Sequence, residues 1–151
     1  MSSAKFVFPK LSIEKLIREP GGLAIADALA QANANLETIK PQCREELLAL
    51  LGEAEAAYEA GGGGVLAELY SIAVRGIGAG TVCGAPDVDG ALSSLCDLID
   101  HLQVADTMDR EAVGVHVRSW RLLMDPQLPR PGATVILDGL RKVSARFAAH
   151  A

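Results

Sequence analysis

Aromatic side chains are scarce in this sequence, at 4% of residues, and charged ones make up only 22%. Half the residues are apolar, mostly Ala and Leu, a mixture that suits helices and is too hydrophobic for a disordered chain. No apolar run approaches the roughly 20 residues that cross a bilayer, which excludes a spanning helix. Met1 to Lys10 lacks the apolar h-region and the small-residue cleavage site of a secretion signal, so the expected location is the cytoplasm. Basic residues do not cluster: 14 Lys and Arg are scattered through a chain of net charge −5. That leaves no electrostatic footprint for a nucleic-acid partner, and no membrane partner is expected either. Cys43, Cys83 and Cys96 are odd in number and lack CxxC or CxxH spacing. They read as reduced, packed side chains rather than disulfides or metal ligands.

The chain also lacks period-two alternation and internal repeats, which leaves helices as the building material. At 151 residues it has the size of one domain. A leader and a short helix are expected over 1–20, with Leu11 to Arg18 as its amphipathic part and Glu19-Pro20-Gly21-Gly22 as the stop. Ile25, Leu29, Ala32, Leu36, Ile39, Cys43, Leu47, Leu50, Ala54 and Ala57 then recur at steps of three and four, so one apolar stripe runs along a helix over about 23–59. The stripe keeps its phase across Pro41, which favours one continuous or kinked helix over two abutting ones. Further helices are expected over 65–82, 87–104, 109–124 with Asp109 as N-cap, and 132–149. Short loops between antiparallel helices make an all-α bundle of five or six helices with a four-helix core.

Little in the sequence asks for catalysis. Gly61 to Gly64 has no Lys or Ser/Thr at phosphate-loop spacing, and reads as a turn between helices. Gly76, Gly78 and Gly80 lack the preceding strand and the final glycine of a dinucleotide-binding loop. Acidic residues such as Glu45, Glu46, Glu53 and Asp109 fall at helix starts or on solvated faces and do not converge on a site. The chain is expected to be no enzyme and to hold no cofactor and no metal.

The 65–82 helix is the informative segment. It reads Leu69-Tyr70-Ser71-Ile72-Ala73-Val74-Arg75-Gly76-Ile77-Gly78-Ala79-Gly80-Thr81-Val82-Cys83-Gly84-Ala85-Pro86, with Ser94-Leu95-Cys96 close behind. This resembles the histidine-phosphotransfer domains of alphaproteobacterial two-component signalling, whose helix has the form L-x-x-I-A-H-D-I-K-G-Q-G, followed by a G-x-P turn and a helix containing S-L-C. Leu69, Ile72, Ala73, Gly78, Gly80, Gly84, Pro86, Ser94, Leu95 and Cys96 stand at matching places. Pro20-Gly21-Gly22-Leu23, the long helix after it and the late amphipathic helices are similar too, as are small chemotaxis-associated proteins of the CheE type. The centre departs from the pattern: Val74 stands at the phosphorylatable histidine, Ile77 at the lysine three residues on, and Gly76 at an apolar position.

The resemblance implies a bundle of the phosphotransfer type whose partner is a response-regulator receiver domain, a histidine kinase, or both. Valine offers no lone pair, so Val74 cannot take a phosphoryl group. The charge that would neutralise phosphoryl oxygens is also missing, while the glycine that lets a partner approach remains as Gly78. The expectation is therefore a silent docking module in chemotaxis-type signalling. At 100° per residue Leu69, Ile72, Ala73, Gly76, Gly80 and Cys83 form the expected core face. Tyr70, Val74, Ile77 and Thr81, beside Gly78, form a second stripe that is either covered by another helix or left open to a partner.

Two other readings stay open on the residues. A relocated nucleophile could make the chain an active phosphotransferase through His101 or His116, which read as surface or partly packed side chains without lysine and glycine companions. His150 lies next to the carboxyl terminus. Alternatively, the Tyr70–Thr81 stripe could join two copies in a structural homo-oligomer.

Overall fold

The computed structural model describes residues 24–148. The expected leader and short helix over 1–20, and His150, lie outside the described residues. Six helices follow one another: α1 (Ile25–Ala60), α2 (Val65–Gly76), α3 (Ala79–Cys83), α4 (Pro86–Val104), α5 (Arg110–Leu123) and α6 (Arg130–Ala148). No strand occurs among the described residues, so the all-α helical reading holds. Among them, too, no helix is long and apolar enough to cross a membrane. The chain divides into two compact units, Met1–Asn35 and Leu36–Ala151, with the boundary inside α1.

In the first unit the described residues 24–35 are helical from Ile25 and exposed throughout. In the second unit α4 is the central element and packs against α2, α3, α5 and α6. Its Val88, Ala91, Leu92, Leu95, Leu98, Ile99 and Leu102 are all buried, more of its circumference than a surface helix would commit. Leu47, Leu50, Leu51, Ala54 and Ala57 of α1 close the core from another side, with Leu69 and Ile72 of α2, Val113, Val117 and Trp120 of α5, and Leu140 of α6. The α1 and α5 helices run antiparallel. Arg44 donates to the Met124 carbonyl at 2.7 Å near one end, and Tyr58 donates to the Arg110 carbonyl at 3.2 Å near the other.

Helix α1 is continuous through Pro41. Pro41 is exposed, so the helical hydrogen bond it cannot make is lost on the side facing water, where the cost is least. The stripe along α1 behaves differently in its two halves. Leu47, Leu50, Ala54 and Ala57 are buried as expected, whereas Ile25, Leu29, Leu36 and Ile39 are exposed. Asp109 caps α5 through an Ala112 N–H bond of 2.8 Å, as a β-region N-cap should.

One expected element is corrected. The helix over 65–82 is two helices, because Ile77 is extended (φ −61°, ψ 130°) and Gly78 is left-handed (φ 94°). An apolar pattern at helical spacing carries no sign of a single-residue break, yet Gly78 is the residue type that takes such a conformation without strain. Gly84 closes α3 in the same way, at φ 84°. The last helix starts at Arg130, two residues before the expected 132, with Pro131 inside its first turn, where a proline costs no helical bond.

Candidate docking face

The break between α2 and α3 is held by one carboxylate. Asp89, in the first turn of α4, accepts the N–H groups of Gly78 and Gly80 at 3.0 Å each and of Thr81 at 2.8 Å. It also accepts the Thr81 hydroxyl at 2.6 Å. These are the orphan donors that open any helix, satisfied here by a side chain from a different element. Gly80 lies so close beneath the carboxylate that a Cβ there would stand 2.6 Å from Asp89 Oδ1 and 2.7 Å from the Ala85 carbonyl. Gly76 is close-packed too, but less strictly, since a Cβ would stand 2.8 Å from the side-chain tip of Leu92 at Cδ1 rather than from backbone. Small residues on this face let α2 and α3 sit tightly against α4.

The two expected faces separate as the helical wheel implied. Leu69, Ile72, Ala73, Gly76 and Gly80 are buried and Cys83 is half-buried. On the other side Val74 is 49% exposed and Ile77 44%. Gly78 and Thr81 are exposed and Tyr70 is half-buried. The question of whether another helix covers this stripe is thus answered for the described residues: Val74 and Ile77 face outward. Beside them Arg75 donates to Glu53 at 2.8 Å in an exposed pair with α1, a contact worth at most about 1 kcal/mol. The break in the helix places Ile77 in extended backbone at the tip of a clamped turn. Its side chain is therefore presented from a fixed corner rather than from a helical ridge.

The chemistry available on this face is limited. Val74 and Ile77 have no polar atoms, and the Thr81 hydroxyl is already donated to Asp89. No group of His, Cys, Asp and Glu able to hold a metal ion occurs among the described residues. The cysteines are free, Cys96 buried and Cys43 and Cys83 half-buried. Burial, then the charges of Asp100 and Asp97, pushes the Cys96 thiol up to about 11, which keeps it protonated and unreactive.

His116 corrects a second expectation. Far from lying on the surface, it is 1% exposed at the centre of a buried polar cluster. Its Nδ1 lies 2.9 Å from the Ala112 carbonyl, its Nε2 3.1 Å from Ser94 Oγ and 3.3 Å from Ser144 Oγ. A carbonyl can only accept, so the proton sits on Nδ1 and Nε2 accepts from the Ser94 hydroxyl. The Ser144 hydroxyl donates to the Ser94 carbonyl at 3.0 Å. Burial lowers the His116 pKa below 6.5, opposed by the Ala112 hydrogen bond. A nucleophile with both nitrogens engaged inside the core cannot meet a protein partner's phosphoryl group, so the geometry excludes His116 as a relocated phosphoacceptor. His101 is half-buried in the last turn of α4.

Sequence reasoning misses both the Asp89 clamp and the Ser94–His116–Ser144 cluster. His116 was findable: Ala112, Val113, Val117, Trp120 and Leu123 recur around it at the spacing of one buried face. No local signal marks Asp89, because its partners lie eight to eleven residues back and only the helix break brings them within reach.

Compared with known family models, characterised proteins and solved structures, the chain matches none.

Proposed function

We propose that this chain is a catalytically silent member of the histidine-phosphotransfer type, which docks a receiver domain or a histidine kinase and modulates chemotaxis-type signalling by occupying it. The observation that supports this reading most is the outward pair of Val74 near the end of α2 and Ile77 beside the turn clamped by Asp89. Where the resembled motif carries its histidine and lysine, this chain presents two apolar side chains and no nucleophile. Such a surface can bind by burial and cannot carry phosphate. Burying the exposed parts of the two side chains is worth roughly 1.5–3 kcal/mol together. That is a useful share of the approximately 8 kcal/mol that a micromolar, transient complex requires.

The test is to incubate the chain with receiver domains and kinases of its own genome and ATP. Acid-labile phosphate on the chain is recorded in parallel with complex formation by calorimetry. Binding without label supports the reading. Label that disappears on His101→Ala replaces it with an active phosphotransferase, and absence of both binding and label removes the docking role.

A further inference from the structure

The second unit contains a cleft that the docking face does not use. It measures about 580 Å³, a volume in the range of small-molecule sites. Every residue lining it lies between 44 and 134, inside the second unit, and none belongs to the Val74–Ile77 face. Helix ends meet here: α3 closes at Gly84, α4 opens at Pro86, α5 gives way at Met124 and α6 opens at Arg130. Ends do not interdigitate as helix sides do, so the packing leaves a gap between them.

Arg44 and Asp87 are the informative pair. Both line the cleft and both are half-buried, yet neither is ion-paired, with the other or with anything else, among the described residues. Arg44 spends one N–H on the neutral Met124 carbonyl at 2.7 Å, and most of its guanidinium fork is unspent. Asp87, in the first turn of α4, has no hydrogen-bond partner among the described residues. A charge held half out of water without a counter-charge gives up hydration and gains little in return. Two such charges of opposite sign, lining one cleft without pairing, complement a ligand that carries both. The other two charges of the lining, Arg130 and Asp125, are exposed and of opposite sign, and Asp125 is engaged with the Gln127 N–H at 2.8 Å. Leu123 and Ala133, both buried, and half-buried Leu128 supply apolar wall.

We propose that this cleft binds a small zwitterion with an apolar body, the chemistry of a free amino acid, with its carboxylate on the Arg44 guanidinium and its ammonium on Asp87. A carboxylate can take two parallel N–H bonds from an arginine, and an aliphatic body gains by burial against Leu123 and Leu128. The proposal does not rest on the docking reading, since the site shares no residue with that face.

The test is an amide chemical-shift titration of the full chain with L-leucine, beside two analogues. 4-Methylpentanoate lacks the ammonium, and 3-methylbutylamine lacks the carboxylate. The expected result is saturable leucine binding with a Kd of about 1 mM or below. Its shifts should centre on residues 83–87 and 123–128, and each one-charge analogue should bind about tenfold more weakly. Asp87→Asn should weaken leucine by about the same factor and leave 4-methylpentanoate unchanged, a split that general damage to the fold would not produce. No saturable shift from leucine, methionine or phenylalanine up to about 20 mM overturns the proposal. So does 4-methylpentanoate binding as tightly as leucine, or leucine shifts centred away from the cleft.

Discussion

Val74 and His116 are opposites in placement: the apolar Val74 faces outward, whereas the polar His116 is enclosed with Ser94 and Ser144. The difference lies in what each region is for. The buried cluster is fully hydrogen-bonded and joins α4, α5 and α6, so its polarity serves to fix the relative positions of those helices. The outward pair is half exposed and has no polar atoms to hydrogen-bond, so on the docking proposal its worth lies in the burial a partner would supply.

Substitutions should divide along the same line. The largest effect is expected at the core face of α2, where Leu69 is fully buried. Leu69→Ala should cost about 2–5 kcal/mol in chemical denaturation. Val74→Ala, one and a half turns along the same helix, should stay within about 0.5 kcal/mol. Equal losses at both sites would erase the distinction between faces.

Next comes the clamp. Asp89→Ala leaves the N–H groups of Gly78, Gly80 and Thr81 without their acceptor, and a loss of about 1–2 kcal/mol is expected. Amide exchange should accelerate at residues 78–81 while the α5 amides remain protected. Uniform acceleration would mean that the turn and the core unfold together.

The smallest effect is a pH dependence arising from the buried cluster. Because burial depresses the folded pKa of His116 below 6.5, the unfolded state binds the proton more readily in mildly acid solution. The neutral cluster therefore stabilises fully above about pH 6.5. This contribution is lost as pH falls from there through the depressed folded value. His116→Gln should flatten that part of the melting-temperature profile. A profile unchanged by the substitution would show that carboxylates alone set the acid limb.

Much of the fold was legible because it rests on periodicity. Most of the helix spans and the core face of α2 follow from residue type repeated at three and four positions, and the N-cap at Asp109 from a capping residue type at a helix start. What was not legible rests on single residues acting through space. The break at Ile77–Gly78 depends on Asp89, whose role no local pattern announces, and the exposure of Val74 depends on which neighbours α2 acquires. His116 lay between these cases, since its own helix marked the buried face and only its polarity suggested the surface. The exposed half of α1 shows the limit of periodicity, as the same apolar stripe runs into the core at Leu47 and into solvent at Leu29.

The docking claim is tested most directly by calorimetric titration of a binding receiver or kinase into wild-type chain and into Ile77→Asp, each with its melting temperature recorded. The account predicts at least a tenfold weaker Kd for Ile77→Asp, with melting within about 2 °C of wild type. An unchanged Kd, or a weakened one accompanied by a collapse in melting temperature, would contradict it.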